Sequence, residues 1–203
     1  MNVIQILGLA LGAAWTSGIN LYATVAVLGL LQRYEFVKGL PGGLDALDNW
    51  WVIGFALFLY AVEFVADKVP YVDTVWDAVH TFIRVPAGAL LALAATTDLD
   101  PALQVVALLA GGGLALSTHG TKASLRATAN LSPEPFTNWG LSLAEDVFAV
   151  GAVVLAVLNP VVILVVIFIF LLLLIWILPK VIRALRRMLG AARAFFTGSR
   201  TPA

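Results

Sequence analysis

Residues 3–31 carry no charged side chain, and neither do residues 161–178. At about 1.5 Å of helical rise per residue, such stretches reach across, or nearly across, a hydrocarbon layer of roughly 30 Å. Inside a bilayer, backbone groups that leave water must bond one another, so only helices and closed barrels can cross it. Continuous apolar runs without a two-residue alternation favour helices. Composition agrees, with 61% hydrophobic and 12% charged residues, where soluble domains carry about a quarter charged. The expected fold is therefore all-α, a polytopic membrane helical bundle.

Six spans are expected. The first covers 3–31; no basic residue precedes it and it outruns a signal-peptide core, so it is expected to be retained. Thr16-Ser17-Gly18-Ile19-Asn20 sits in its middle and predicts a helix break at Gly18 and Asn20. A loop over 32–49, with Leu40-Pro41-Gly42-Gly43 turn chemistry, leads to the second span, 50–67. The third covers 70–97 and is expected to break at Pro86. Asp98-Leu99-Asp100-Pro101 turns the chain into the fourth, which starts at Ala102, includes Gly111-Gly112-Gly113 as a packing or kink site, becomes polar from His119 and ends before Ser132-Pro133-Glu134-Pro135. The fifth and sixth cover 139–158 and 161–178, joined at Asn159-Pro160.

Charge supplies orientation. Lys180, Arg183, Arg186, Arg187, Arg193 and Arg200 lie in the last 24 residues without an acid, leaving 6 basic and 12 acidic residues in 1–179. The positive-inside rule places this tail, and with an even span count both termini, in the cytoplasm. Lys68, Lys122 and Arg126 then fall on the same side, with Asp45, Asp48, Asp98 and Asp100 opposite. Residues 1–179 are read as a transmembrane domain and 180–203 as a basic amphipathic cytoplasmic tail. Its Val181, Ile182, Leu185, Met188, Leu189, Ala192, Phe195 and Phe196 gather on one side, which suits an interfacial helix on anionic lipid. The even overall balance of 12 basic and 12 acidic residues gives no reason to expect nucleic acid. A homo-oligomer is compatible with all of this.

Two stripes of chemistry stand out. Asp73, Asp77, His80 and Arg84 are spaced 4, 3 and 4, and His119, Lys122, Arg126 and Asn130 are spaced 3, 4 and 4. Each set fits within about 60° of a helix circumference. Buried charges need partners, so the stripes are expected to pair with each other. Glu63 and Asp67 lie one turn apart on the second span, and Glu145 and Asp146 lie beside Ser142 on the fifth. These carboxylates fit a proton relay or an oxygen-ligated sodium, magnesium, calcium or manganese site; alternatively, Lys68 and the cationic stripe neutralise them. His80 could add a switch near neutral pH.

With no cysteine and two histidines, thiolate zinc, iron-sulfur clusters, cysteine nucleophiles and histidine-rich metal sites are excluded within the chain. Gly120-Thr121-Lys122 lacks the surrounding Gly and Ser or Thr of a phosphate loop. No cofactor is expected.

Aligned 102 residues apart, 7–18 and 109–120 both run through small residues into polar stretches ending at Gly18 and Gly120; separately, the second and fifth spans each open with Asn-Trp, at Asn49-Trp50 and Asn138-Trp139. Halves at 1–100 and 101–179 would form a 3+3 inverted repeat of the transporter type, with Gly120 as a second helix break. Substitution at Gly18 and Gly120 should then do more harm than at Gly29.

Ser17-Gly18-Ile19-Asn20-Leu21-Tyr22-Ala23-Thr24, the stretch 62–73 with Trp76-Asp77-Ala78-Val79-His80, His119-Gly120-Thr121-Lys122-Ala123 and Asn130-Leu131-Ser132-Pro133-Glu134-Pro135 together resemble the bacterial domain-of-unknown-function family 4126, over roughly residues 5–158. The resemblance implies a bacterial membrane setting and brings no reaction with it; the expected location is the inner membrane. The expected function is a transporter or channel for an ion or small polar solute. One alternative is a lipid-modifying enzyme with Asp77-His80 as acid-base pair and Lys122 and Arg126 on a lipid phosphate; another is a membrane scaffold.

Overall fold

The computed structural model describes residues 1–69, 71–130 and 135–197, and among them it is helical without strands. The helices are α1 (Val3–Ser17), α2 (Leu21–Arg33), a 3-10 segment (Gly42–Asp48), α3 (Trp50–Ala66), α4 (Val72–Ala95), α5 (Pro101–Ala129), α6 (Pro135–Leu158) and α7 (Pro160–Thr197). Residues 1–164 form one compact unit; the rest of α7 belongs to a second. Helix starts follow local chemistry. Side chains of Asn2, Asn20, Asn49 and Asp100 accept the first free backbone N–H groups of α1, α2, α3 and α5, and Pro101 opens α5 where its missing N–H costs nothing.

Among the described residues, Val72–Ala95, Pro101–Ala129, Phe136–Leu158 and Pro160–Arg183 are each long and apolar enough to cross a membrane. The 3-10 segment and α3, bent by 76°, make a fifth if taken as one span. The protein is thus a multi-pass helical bundle. The stretch expected to be a single first span is two helices of 15 and 13 residues, neither of span length alone.

The surface pattern is that of a protein dissolved in lipid. Trp51 and Phe82 are 87% and 82% exposed, while Arg84, Arg126 and Glu63 are 0% exposed. Small residues bring α1, α4 and α5 together. A Cβ on Gly88 would lie 2.5 Å from the Ala115 Cβ, and one on Gly111 would lie 2.5 Å from the Ala92 Cβ. Backbones approach here as in other membrane bundles, where apolar side chains gain little by leaving lipid and close packing supplies the attraction.

The break expected at Pro86 is absent. Helix α4 runs through Pro86: proline removes one ladder hydrogen bond, but Gly88, Leu91, Ala92 and Ala95 keep the next turns packed inside the bundle. Helix α7 likewise passes Pro179 and continues to Thr197, so the tail's start at Lys180 is not a helix boundary. The turn at Ser132-Pro133-Glu134 lies outside the described residues, as do the last six residues of the tail. The amphipathic arrangement expected for Leu185, Met188, Leu189, Ala192, Phe195 and Phe196 concerns side chains outside the described set.

Candidate functional site

The break between α1 and α2 exposes main-chain groups in the bundle interior. A helix leaves its last four carbonyls unpaired, and lipid offers them nothing. Here side chains do. Thr118 donates its hydroxyl to the Trp15 carbonyl at 2.9 Å, Arg84 Nη1 donates to Gly18 and Ile19 carbonyls at 3.4 and 3.1 Å, and Lys122 Nζ donates to the Ile19 carbonyl at 3.2 Å. These cations sit where the α1 dipole is negative. At the positive start of α2, Asn20 caps the helix through its Oδ1 and donates its amide to Asp146 at 3.0 Å. Gly18 admits the crossing: a Cβ there would collide with the Thr118 hydroxyl and the Ala115 carbonyl.

The two stripes do meet, but mostly not by pairing charge with charge. Asp73 accepts the Asn130 amide at 2.9 and 3.0 Å, and Asn138 of α6 donates to Asn130 Oδ1 at 2.6 Å. His119 Nε2–H donates to the Asp77 main-chain carbonyl at 2.9 Å, and its Nδ1 accepts from Arg84 at 3.1 Å. A carbonyl on one ring nitrogen and a guanidinium on the other fit only the neutral Nε2–H tautomer.

The carboxylates that hold the cations come chiefly from the end of α3 and from α6. Glu63 Oε1 accepts from Arg84 at 2.6 Å and from Lys122 at 3.1 Å. Asp67 Oδ2 accepts from Lys122 at 3.0 Å and from Arg126 at 2.9 Å. Glu145 takes a two-pronged contact from Arg126, with Oε2 at 2.7 Å from Nη2. Three acids and three bases thus interlock with almost no solvent contact. The expected pairing of one stripe with the other is corrected to this extent: α4 lends Arg84 to the cationic side, Asp73 turns to the Asn130 amide and the Thr74 main chain, and the Asp77 carboxyl group accepts no hydrogen bond.

His80 is not paired with Asp77. Its Nδ1–H donates to the Trp76 carbonyl at 2.8 Å, its Nε2 accepts from the Tyr22 hydroxyl at 2.9 Å, and Trp76 stacks on its ring. The acid-base pair of the lipid-enzyme alternative therefore does not form. Lys68 donates to the Phe64 carbonyl and Ser142 hydroxyl rather than to a carboxylate oxygen; partial burial lowers its ammonium pKa from the ordinary lysine value, against the pull of Asp146 and Asp67.

Gly120 is not a break. It lies in the middle of continuous α5, is exposed, and has open space where a Cβ would stand. Gly29 is the opposite: a Cβ there would collide with the Leu47 carbonyl and crowd Ile53. The expectation that Gly120 is sensitive and Gly29 tolerant is therefore reversed, because backbone proximity depends on neighbours from other segments. In the triplet, Gly111 is tightly packed and Gly113 faces open space.

Tyr22, Thr81, Thr118 and Asn138 belong to this interior and were not expected as site residues from sequence, Asn138 having been noted only as the start of the fifth span. Thr81 donates to the Asp77 carbonyl and meets His119 Nε2. Tyr22 also lines an apolar crevice of about 590 Å³ between α2, the 3-10 segment, α3 and α4. It was legible only as part of the stretch 17–24. Among the described residues, no three Asp, Glu or His side chains converge as a metal site.

No curated protein and no solved structure matches the chain. The family described as Domain of unknown function (DUF4126) matches residues 7–180. That range takes in the last span, which the sequence resemblance had left outside. With nearly the whole described bundle inside the match, the chain belongs to the DUF4126 family.

Proposed function

We propose that this protein is a small membrane transporter or channel for an ion or small polar solute. The observation that carries the reading is the first helix, interrupted at Gly18–Asn20 against a buried cluster of ionisable side chains. Discontinuous helices with their ends turned toward charged groups are the usual way for a membrane protein to build a polar site inside lipid. Intramembrane charges are costly, and most serve a pathway. The proposed setting is the bacterial inner membrane with both termini cytoplasmic and anionic lipid at the basic tail. Asp98 accepts from the Gly42 amide at 3.2 Å, so the 3-10 segment with Asp45 and the α4–α5 turn share one end, which the positive-inside rule assigns to the outer face.

The three-against-three ion network favours a scaffold as second reading, since interlocked charges hold helices together whether or not anything passes. Proteoliposomes decide between them. Purified full-length protein is assayed for proton, sodium, potassium and divalent-cation flux and for uptake of small polar solutes, beside Asp146→Asn. That variant keeps the Asn20 hydrogen bond and the side-chain shape while removing the charge. Transport requires flux in the wild type and at least a tenfold loss in the variant at equal melting temperature. A folded wild type that moves none of these leaves the scaffold.

A further inference from the structure

The interior network is balanced without Asp77. Arg84, Lys122 and Arg126 are matched by Glu63, Asp67 and Glu145 through direct hydrogen bonds. Asp73 sits in the first turn of α4 and is held by the Asn130 amide and the Thr74 main-chain N–H. Asp146 has the Asn20 amide, and Lys68 is within its electrostatic reach. Asp77 is the acid left over. It is 2% exposed, neither carboxyl oxygen accepts a hydrogen bond, and its nearest cation is Arg84 Nη1 at 3.7 Å.

The donors around it are committed elsewhere. On its own helix, Arg84 directs Nη2 at Glu63 and Nη1 at His119 and the Gly18 and Ile19 carbonyls, and His80 has both ring nitrogens occupied. On α5, His119 spends Nε2–H on the Asp77 main chain, and the three Lys122 hydrogens have three acceptors: Ile19, Glu63 and Asp67. Arg126 is held by Asp67 and Glu145 of α6. Lys122 and Arg84 act on Asp77 through space with opposite charge, and from α3 and its end Asp67 and Glu63 act with the same charge; α2 offers Tyr22, already bonded to His80. A buried carboxylate whose two oxygens accept no hydrogen bond lacks the donors that replace water around an anion.

We propose that Asp77 is a proton-binding site: the Asp77 carboxylate takes up one proton to become the neutral acid, and this proton is the ion that the transport reading above requires. The inference rests on that reading for its use but not for its chemistry. A proton suits the site better than a metal ion because, among the described residues, no three Asp, Glu or His side chains are arranged to hold one. Binding adds one positive charge and breaks no existing hydrogen bond to the carboxyl group.

Infrared spectroscopy of the full-length protein in lipid bilayers tests it. The carbonyl stretch of a protonated carboxylic acid is separate from carboxylate bands and shifts in heavy water. The expected result is one such band that grows as the pH is lowered, absent from Asp77→Asn and retained at a shifted frequency in Asp77→Glu. The glutamate variant guards against an asparagine variant that fails to fold. A wild-type spectrum without a band that Asp77→Asn removes overturns the proposal, as does a band bleached by sodium or potassium at constant pH, which would make the site a metal-cation site. Proton flux is measured on the same vesicles. The band without any flux keeps the proton site and defeats transport; flux without the band keeps transport and defeats the site.

Discussion

The chain contains two glycine-centred polar stretches, Thr16–Asn20 and Ser117–Lys122, and folds them in opposite ways. At the first, the helix stops after Ser17 and restarts at Leu21. At the second, α5 continues without interruption. The difference lies in what surrounds the backbone. At the first, Arg84, Lys122 and Thr118 reach across from α4 and α5 to take the carbonyls that a break releases. At the second, the outward hydroxyls of Ser117, Thr121, Ser124 and Thr128 each bond the carbonyl four residues back in their own helix. A helix in lipid opens where other elements bring donors and stays closed where only its own side chains are at hand. Small and polar residues in a row are permission for a break; the partners decide.

The sharpest way to disturb the contrast is to remove the partner. Arg84→Met takes away the shorter of the two Glu63 ion pairs and the bonds to Gly18 and Ile19 carbonyls together, leaving Lys122 alone to serve Glu63 and the Ile19 carbonyl and a buried excess of negative charge. The expected loss is about 3–5 kcal/mol, read as a collapse in folded yield and melting temperature in detergent. Adding Glu63→Gln should restore part of it, because the buried excess of negative charge is gone while the amide oxygen can still accept from Lys122. A single variant as stable as the wild type would show that the break does not depend on Arg84.

Crowding the break comes next. Gly18→Leu drives a side chain into Thr118 and the Ala115 carbonyl, at a cost of about 1–3 kcal/mol or more. Gly29→Leu should lose a similar amount against Leu47 and Ile53. Thermal melts of both variants side by side check the two sites, and a tolerant Gly18 would mean that α1 and α5 do not approach as described.

Asn20→Ala removes the cap of α2 and the amide that meets Asp146. Loss of an N-cap typically costs about 1 kcal/mol, and a stranded Asp146 oxygen adds to it. Asn20→Asp keeps the cap but sets two carboxylates together, so a melt lower for aspartate than for alanine would identify the Asp146 contact as the larger part. The reverse order would assign the effect to the cap.

Much of this interior was legible because helical spacing is strict. Asp73, Asp77, His80 and Arg84 share a face by arithmetic, and any face so polar in a chain so apolar must turn inward; all four are buried. Lys122, Arg126 and His119 follow the same rule. What the spacing did not contain was choice of partner. Glu63 and Asp67 take the cationic stripe because the end of α3 sits beside α5, a relation between segments about 60 residues apart. Tyr22 and Thr81 carry ordinary side chains at unremarkable positions and matter only through His80 and His119. Pro86 misled for a related reason: its effect on α4 depends on how firmly the following turns are packed, which is a property of α1 and α5.

The smallest expected effect is the most discriminating, because its sign differs from the others. Glycine in a helix interior costs roughly 0.5–1 kcal/mol relative to alanine, through the backbone freedom lost on folding. At Gly18 that penalty is offset by the crossing it allows, so Gly18→Ala should destabilise as its methyl meets Thr118. Gly120 has no such compensation: it is helical and exposed, and nothing stands within reach of an added Cβ. Gly120→Ala should therefore raise the melting temperature slightly, by an amount matching about 0.5–1 kcal/mol. The paired melts of Gly18→Ala and Gly120→Ala test the comparison directly. If both variants lose stability, α5 meets a partner at Gly120, and the two stretches are more alike than their backbones show; if Gly120→Ala gains while Gly18→Ala loses, the resemblance between 7–18 and 109–120 ends at the sequence.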